Sequence, residues 1–187
     1  MKDEIHILGF AGSLRKGSFN KSILNAAKEL APDGTVIDIF DLEGIPPFNQ
    51  DLENNPPEKV KAFKAKIRAA DAILIATPEY NFSIPGVLKN AIDAASRPHG
   101  DNPFDGKPVA VMGTSTGILG TARAQYHLRQ CFVFLNMLPL NKPEVLVPTA
   151  GDKVDSNGRV TDEKTRKKIK ELVEALVAWT IRLGGPR

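Results

Sequence analysis

The chain has one cysteine, Cys131, among 187 residues. An internal disulfide is excluded, and so is a metal cluster built on thiolates. Histidine is scarce as well: His6, His99 and His127 are the only three. They lie too far apart in sequence to suggest a metal site, and none is expected. No apolar run approaches the roughly 20 residues needed to cross a bilayer. Lys2-Asp3-Glu4 runs straight into an apolar segment without the pattern of an export leader, so the expectation is a cytoplasmic protein with no membrane partner. Net charge is only +3 and dispersed, which argues against nucleic acid. The one basic cluster, Lys164 to Lys170, reads as the solvated face of a final helix.

What is present is ordinary for a globular protein: 42% hydrophobic and 25% charged residues, enough for one domain spanning residues 1–187. Strand and helix patterns alternate along it. Ile5–Phe10, Val36–Phe40, Ala72–Ala76, Val109–Gly113 and Val145–Val147 read as buried strands. Helices are expected from near Asn20, around Val60–Ala70, after Pro85, from Thr121 to Leu138, and from near Asp162. Glu43–Pro57 holds four prolines and three asparagines and reads as a long loop. Five strands alternating with five helices imply an α/β three-layer sandwich, a parallel sheet covered on both faces. The flavodoxin-like order 2-1-3-4-5 suits this length, with a ligand crevice at the carboxyl ends of strands 1 and 3.

That order makes three loops converge. The first, Gly9-Phe-Ala-Gly-Ser-Leu-Arg-Lys-Gly-Ser-Phe-Asn20, lacks three things. It has no lysine after Gly17, which makes a poor match to an ATP- or GTP-binding P-loop. Gly9 and Gly12 are three apart, which breaks the dinucleotide glycine pattern. It carries no acid, unlike a receiver domain. What remains is a strand turning through Gly, Ser and Arg into a helix, suited to a phosphate monoester held by amides, hydroxyls and Arg15. The plain alternative is a βα turn with a serine cap. The second loop, Thr77–Gly86, gathers Tyr80 and Phe82 in a chain only 6% aromatic, so a planar ring has a place to lie. The third, Thr114–Gly120, is hydroxylic and glycine-rich.

Phosphate at one end and a flat heteroaromatic at the other outline FMN. Gly12–Asn20 and Pro78-Glu-Tyr-Asn-Phe-Ser-Ile-Pro-Gly86, followed by Leu88–Asp93, resemble the NAD(P)H-dependent FMN reductases. The likeness is greatest to the bacterial quinone, azo-dye and chromate reductases, and Gln125–Gln130 and Asn141–Glu144 share it. The resemblance implies that Ser13, Arg15, Ser18, Phe19 and Asn20 hold the FMN phosphate. Pro78, Glu79, Tyr80, Asn81 and Phe82 would line the isoalloxazine, with Ser115 nearby. It implies NADPH or NADH as co-substrate, hydride carried by flavin N5 rather than by a catalytic side chain, and a quinone, azo compound, chromate or free flavin as small-molecule acceptor. Ile45–Asn49 and Arg97–Asn102 are the expected acceptor-facing segments. Glu79 reads as a loop organiser, His6 as a core histidine, and His127 as remote from the strand ends. Rival readings are a flavodoxin-type electron carrier and a colourless phosphometabolite sensor.

The fourth helix is expected to turn Leu128, Cys131, Phe132 and Leu135 to the sheet, leaving Val133, Phe134 and Met137 on other sides. That much apolar surface suggests a homodimer or homotetramer, which the resemblance also implies. Arg123, Tyr126 and Glu144 are candidate groups for a second interface.

Overall fold

Residues 4–184 are described by the computed structural model. The elements are β1 (Ile5–Ala11), α1 (Phe19–Glu29), β2 (Thr35–Phe40), α2 (Glu58–Ala69), β3 (Ala72–Ala76), α3 (Gly86–Ala95), β4 (Pro108–Thr114), α4 (Ala122–Leu135), β5 (Leu138–Pro139), β6 (Val145–Val147) and α5 (Glu163–Arg182). Helix starts follow local chemistry. Ser18 Oγ accepts the Lys21 amide at 3.4 Å, and Asp162 Oδ2 accepts the Thr165 amide at 2.7 Å, each a side-chain cap on an otherwise orphaned donor.

The sheet is parallel with order β2-β1-β3-β4-β5, the flavodoxin-like winding, and β6 also pairs with β4. Ile7 lies beside Ile37 on one side and Ala72 on the other. Alternation along each strand sorts two cores. Ile5, Ile7, Leu74 and Met112 pack with Ile23, Leu24, Leu172 and Leu176 under α1 and α5. Leu8, Phe10, Ile73 and Val111 pack with Phe63, Leu88, Ile92 and Phe132 under α2, α3 and α4. The second face takes the large aromatics, with Phe63 edge-on to Phe10 at 5.2 Å and stacked on Phe40 at 4.9 Å.

The far edge differs from the sequence reading. α4 stops at Leu135 rather than Leu138, because Asn136 takes a left-handed φ of 54°. The Met137 amide bonds back to Phe132 O and the Asn136 amide to Val133 O, a Schellman ending. The chain then enters the sheet as β5, so the fifth position is shared by two short strands: β5 beside the start of β4 and β6 beside its end. Met137 consequently lies in the core and Cys131 is only half-buried, while Val133 (82% exposed) and Phe134 (70%) do face outward. His6 is no core histidine either. Its side chain is 44% exposed, near Glu4 at 4.0 Å.

Candidate functional site

Three loops leave the carboxyl ends of β1, β3 and β4 from a common level. The Gly12 amide donates to Ala76 O and the Thr77 amide to Met112 O, both at 2.9 Å. Two glycines make the approach feasible. A Cβ on Gly12 would stand 3.1 Å from the Leu88 side chain, and one on Gly113 would overlap Thr121 Oγ1 and the Thr77 carbonyl. Gly113 sits inside an apolar strand, where nothing in the sequence marks it.

The loop after β1 offers a compact donor set. Ser13 and Ser18 are buried. Each hydroxyl accepts a backbone amide, Ser13 from Arg15 and Ser18 from Lys21, both at 3.4 Å. Each therefore keeps its own proton to donate. The first turn of α1 contains no acid, and its leading amides, on Phe19 and Asn20, have no partner within the helix. Arg15 is exposed, its guanidinium 5.7 Å from the Phe19 ring centre. The Asn20 side chain has another task. Its Nδ2 donates to Thr114 O at 2.9 Å and its Oδ1 accepts the Thr114 amide at 3.1 Å. That pair of bonds fastens the loop to β4 and leaves Asn20 its backbone N–H and the second Nδ2 hydrogen for an anion.

The loop after β3 is built on strain. Tyr80 and Ser83 exchange backbone hydrogen bonds of 3.1 and 3.0 Å across Asn81 and Phe82, whose φ values are 49° and 65°. Two successive left-handed residues make a type I′ turn, a cost that a phenylalanine bears without glycine's freedom. The turn holds Tyr80 and Phe82 in the open, Phe82 at 64% exposure. Pro78 beneath is buried beside Gly12.

Glu79 organises this loop, as its position suggested. Thr121, which precedes α4, is left-handed and makes no side-chain cap. Glu79 Oε2 instead accepts the amides of Arg123 (3.0 Å) and Ala124 (3.2 Å), while Oε1 accepts Arg123 Nε at 2.6 Å. Burial acts to raise the Glu79 pKa. The Arg123 hydrogen bond, the Ala124 amide and the Arg123 charge outweigh it and hold the carboxyl below the usual range. Fixed this way, the Arg123 guanidinium lies 3.5 Å from the Phe82 ring centre, a cation–π contact. Arg123, a candidate interface group, is thus engaged within the chain by Glu79 and Phe82. Tyr126 and Glu144 do meet, at 3.0 Å.

Ser115 sits at the start of the third loop, its amide on Val147 O at 3.1 Å. Beyond it Ile118 and Leu119 are exposed. His127 is closer than the sequence suggested, with Nδ1 2.9 Å from Ser83 Oγ. The two expected acceptor-facing segments have fixed partners of their own. Asn90 ties Pro46–Phe48 to α3 through bonds of 2.7 and 2.9 Å. Lys64 fixes Asp101 at 2.6 Å, and Asn102 bonds Leu135 O at the far end of α4. Arg97 shares a groove with Pro46–Asn49, and His99 lies 2.6 Å from Arg97.

An acid-free helix start with two buried hydroxyls and an arginine matches a phosphate monoester, and the aromatic turn matches a flat ring. The donor set therefore fits FMN.

The chain is similar along nearly its whole length to proteins of that chemistry. It is 52% identical over 186 residues to an NAD(P)H-dependent FMN reductase of Pseudomonas aeruginosa, covering 99% of this chain and 100% of that one. It is 45% identical over 168 residues to a 2-hydroxy-1,4-benzoquinone reductase of a Burkholderia species, covering 90% and 92%. Among solved structures, the flavoenzyme NAD(P)H:(acceptor) oxidoreductase of Paracoccus denitrificans superposes with a TM-score of 0.87 at 38% identity, covering 95% of this chain and 98% of that one. The model of the NADPH-dependent FMN reductase family matches residues 5–152, and the chain belongs to that family.

Proposed function

We propose that this protein is an FMN-dependent NAD(P)H oxidoreductase that passes electrons to quinone-class acceptors by a ping-pong cycle. One observation carries the reading: an acid-free phosphate cradle and a strained aromatic turn flank the same crevice. When bound, FMN supplies the redox chemistry, taking hydride at N5 from NAD(P)H and returning the electrons to the acceptor. Ser13, Ser18, Arg15 and the Phe19 and Asn20 amides hold the phosphate. Pro78, Glu79, Tyr80, Asn81 and Phe82 line the ring, with Ser115 at its edge; Glu79 acts by positioning Arg123. Phe82 and Tyr80 leave an apolar wall against which a nicotinamide and then a quinone can stack. No side chain of the chain is needed to carry the hydride.

The protein works as a homodimer or homotetramer in this reading, because Val133 and Phe134 present apolar surface that a lone helix layer has no use for. Ile45–Asn49 and Arg97–Asn102 are the acceptor-facing segments of this reading. A single domain over residues 1–187 suits the described residues, in which both cores face one sheet. Among the described residues no helix is long and apolar enough to cross a membrane. A reducing cytoplasm suits the free thiol of Cys131.

The test is purification followed by an absorbance spectrum, identification of the released flavin, and NAD(P)H oxidation with a benzoquinone. A yellow protein with steady quinone-dependent turnover is expected. Bound flavin without NAD(P)H oxidation would return the carrier reading, and a colourless protein that binds no FMN would return the sensor. The same assay with an azo dye, chromate and free FMN ranks the other acceptors. Light scattering that gives a 20.3 kDa particle at micromolar concentration would remove the oligomer.

A further inference from the structure

The bond between Ser83 Oγ and His127 Nδ1, 2.9 Å long, joins the turn after β3 to α4. Within the turn, Tyr80 and Ser83 stand opposite each other as an antiparallel bridge. Residues paired in that way put their side chains on one face. Ser83 Oγ therefore shares a face with the Tyr80 ring, against which the acceptor stacks in the proposed function. Behind Ser83, His127 is exposed, so its imidazole can exchange protons with water. The charged groups around this part of α4 are already committed: Arg123 to Glu79, Lys89 to Asp93 of α3, and Arg129 to Leu140 O.

Quinone reduction has a demand that hydride alone does not meet. A quinone becomes a hydroquinone by taking up two electrons and two protons. A hydride originating in NAD(P)H accounts for both electrons and one proton, and the other proton needs an acid. The carboxyl of the turn cannot give it, because Arg123 and two backbone amides keep Glu79 ionised. His6 and His99 lie elsewhere, beside Glu4 and Arg97. Imidazole is the side chain that ordinarily gains and loses a proton between pH 5 and 8, and His127 is the one that reaches the turn.

We propose that Ser83 and His127 form a proton relay to the acceptor. With Nδ1 protonated, His127 donates to Ser83 Oγ and leaves the Ser83 hydroxyl proton free to point outward. With Nδ1 bare, that proton is spent on the imidazole. In the step itself, the arriving electron pair fills the quinone ring and a C=O π pair moves onto its oxygen. That oxygen takes the Ser83 O–H proton, His127 Nδ1–H restores it to Ser83, and water recharges the imidazole. Ser83 is the catalytic group, and His127 is the positioning residue behind it. The relay rests on the oxidoreductase reading and on its placement of the acceptor at Tyr80 and Phe82.

The experiment follows, by stopped flow, reoxidation of reduced FMN-loaded protein in the parent, His127→Gln and Ser83→Ala. Two acceptors are compared: 1,4-benzoquinone, which takes up protons, and ferricyanide, which takes electrons alone. The benzoquinone rate relative to ferricyanide is expected to fall about tenfold or more in each variant. Between pH 5 and 9 that ratio should fall in the parent and stay level in His127→Gln, since only a protonated imidazole feeds the relay. In flavin-free protein, proton NMR of the imidazoles should show the His127 titration displaced in Ser83→Ala. Equal losses with both acceptors would overturn the relay, as would an unchanged ratio or an imidazole indifferent to Ser83. A parent that oxidises NAD(P)H with neither acceptor would instead overturn the oxidoreductase reading, and the relay with it.

Discussion

The loops after β1 and β3 meet one crevice with opposite constructions. The first is sunk, its serines and Asn20 buried and its backbone tied to β4. The second stands out on a strained turn with two aromatic rings in solvent. A charged phosphate needs fixed donors in place before it arrives, because each polar contact has to outweigh lost hydration. A ring that must admit two successive partners needs an open apolar face. In the proposed reading one loop serves retention and the other exchange.

The largest effect should come from breaking the sunk side. Asn20→Ala leaves the amide and carbonyl of Thr114 buried without partners, a loss of about 2–5 kcal/mol that should appear as a lower urea midpoint. Next is Arg15→Ala, which removes a charge-assisted phosphate contact worth roughly 1.5–3 kcal/mol, or about ten- to a hundredfold in FMN affinity. Its urea midpoint should stay unchanged because the side chain is exposed, and riboflavin binding should not respond.

The exposed side should yield smaller changes. Glu79→Gln loses the charge on Arg123 but keeps some amide contacts, costing about 1–2 kcal/mol. The pH profile sharpens this. The folded Glu79 pKa is lowered, so its contribution is complete above the unfolded value of about 4.3 and is lost as pH falls through the folded value. Acid titration of stability should show a steeper loss in the parent than in Glu79→Gln below that point. Identical acid limbs would separate Glu79 from the clamp. Phe82→Gly should be nearly neutral for stability, since relief of about 1 kcal/mol of left-handed strain offsets a cation–π contact of about 0.5–1 kcal/mol. It should still weaken flavin retention, measured by dialysis. A clear loss of stability instead would mean the ring is a packing residue.

The sheet order and the apolar faces of both cores were legible because each depends on local pattern. The apolar run Ile5–Phe10 and the 3.6-residue spacing of Ile169, Leu172, Val173 and Leu176 survive in the fold. What was hidden depends on distant partners. Glu79 caps α4 across 44 positions and Asn20 binds Thr114 across 94, and no spacing rule links such pairs. The turn at Asn81-Phe82 was hidden for another reason: phenylalanine rarely takes positive φ, so residue preference pointed away from it. β5 escaped notice because two residues ending in proline carry almost no strand signal.

That divided edge has a consequence for how copies of the chain can meet. An unbroken outer strand would offer a row of free amides and carbonyls to any other chain in extended form, the usual opening for fibrous aggregation. Here β5 has two residues, one of them Pro139 with no N–H to give, and β6 has three, with five residues of non-strand chain between them. No continuous template exists along this border, so sheets from separate molecules cannot join through it. At this border any contact between copies would fall to side chains, where fit and charge can choose the partner.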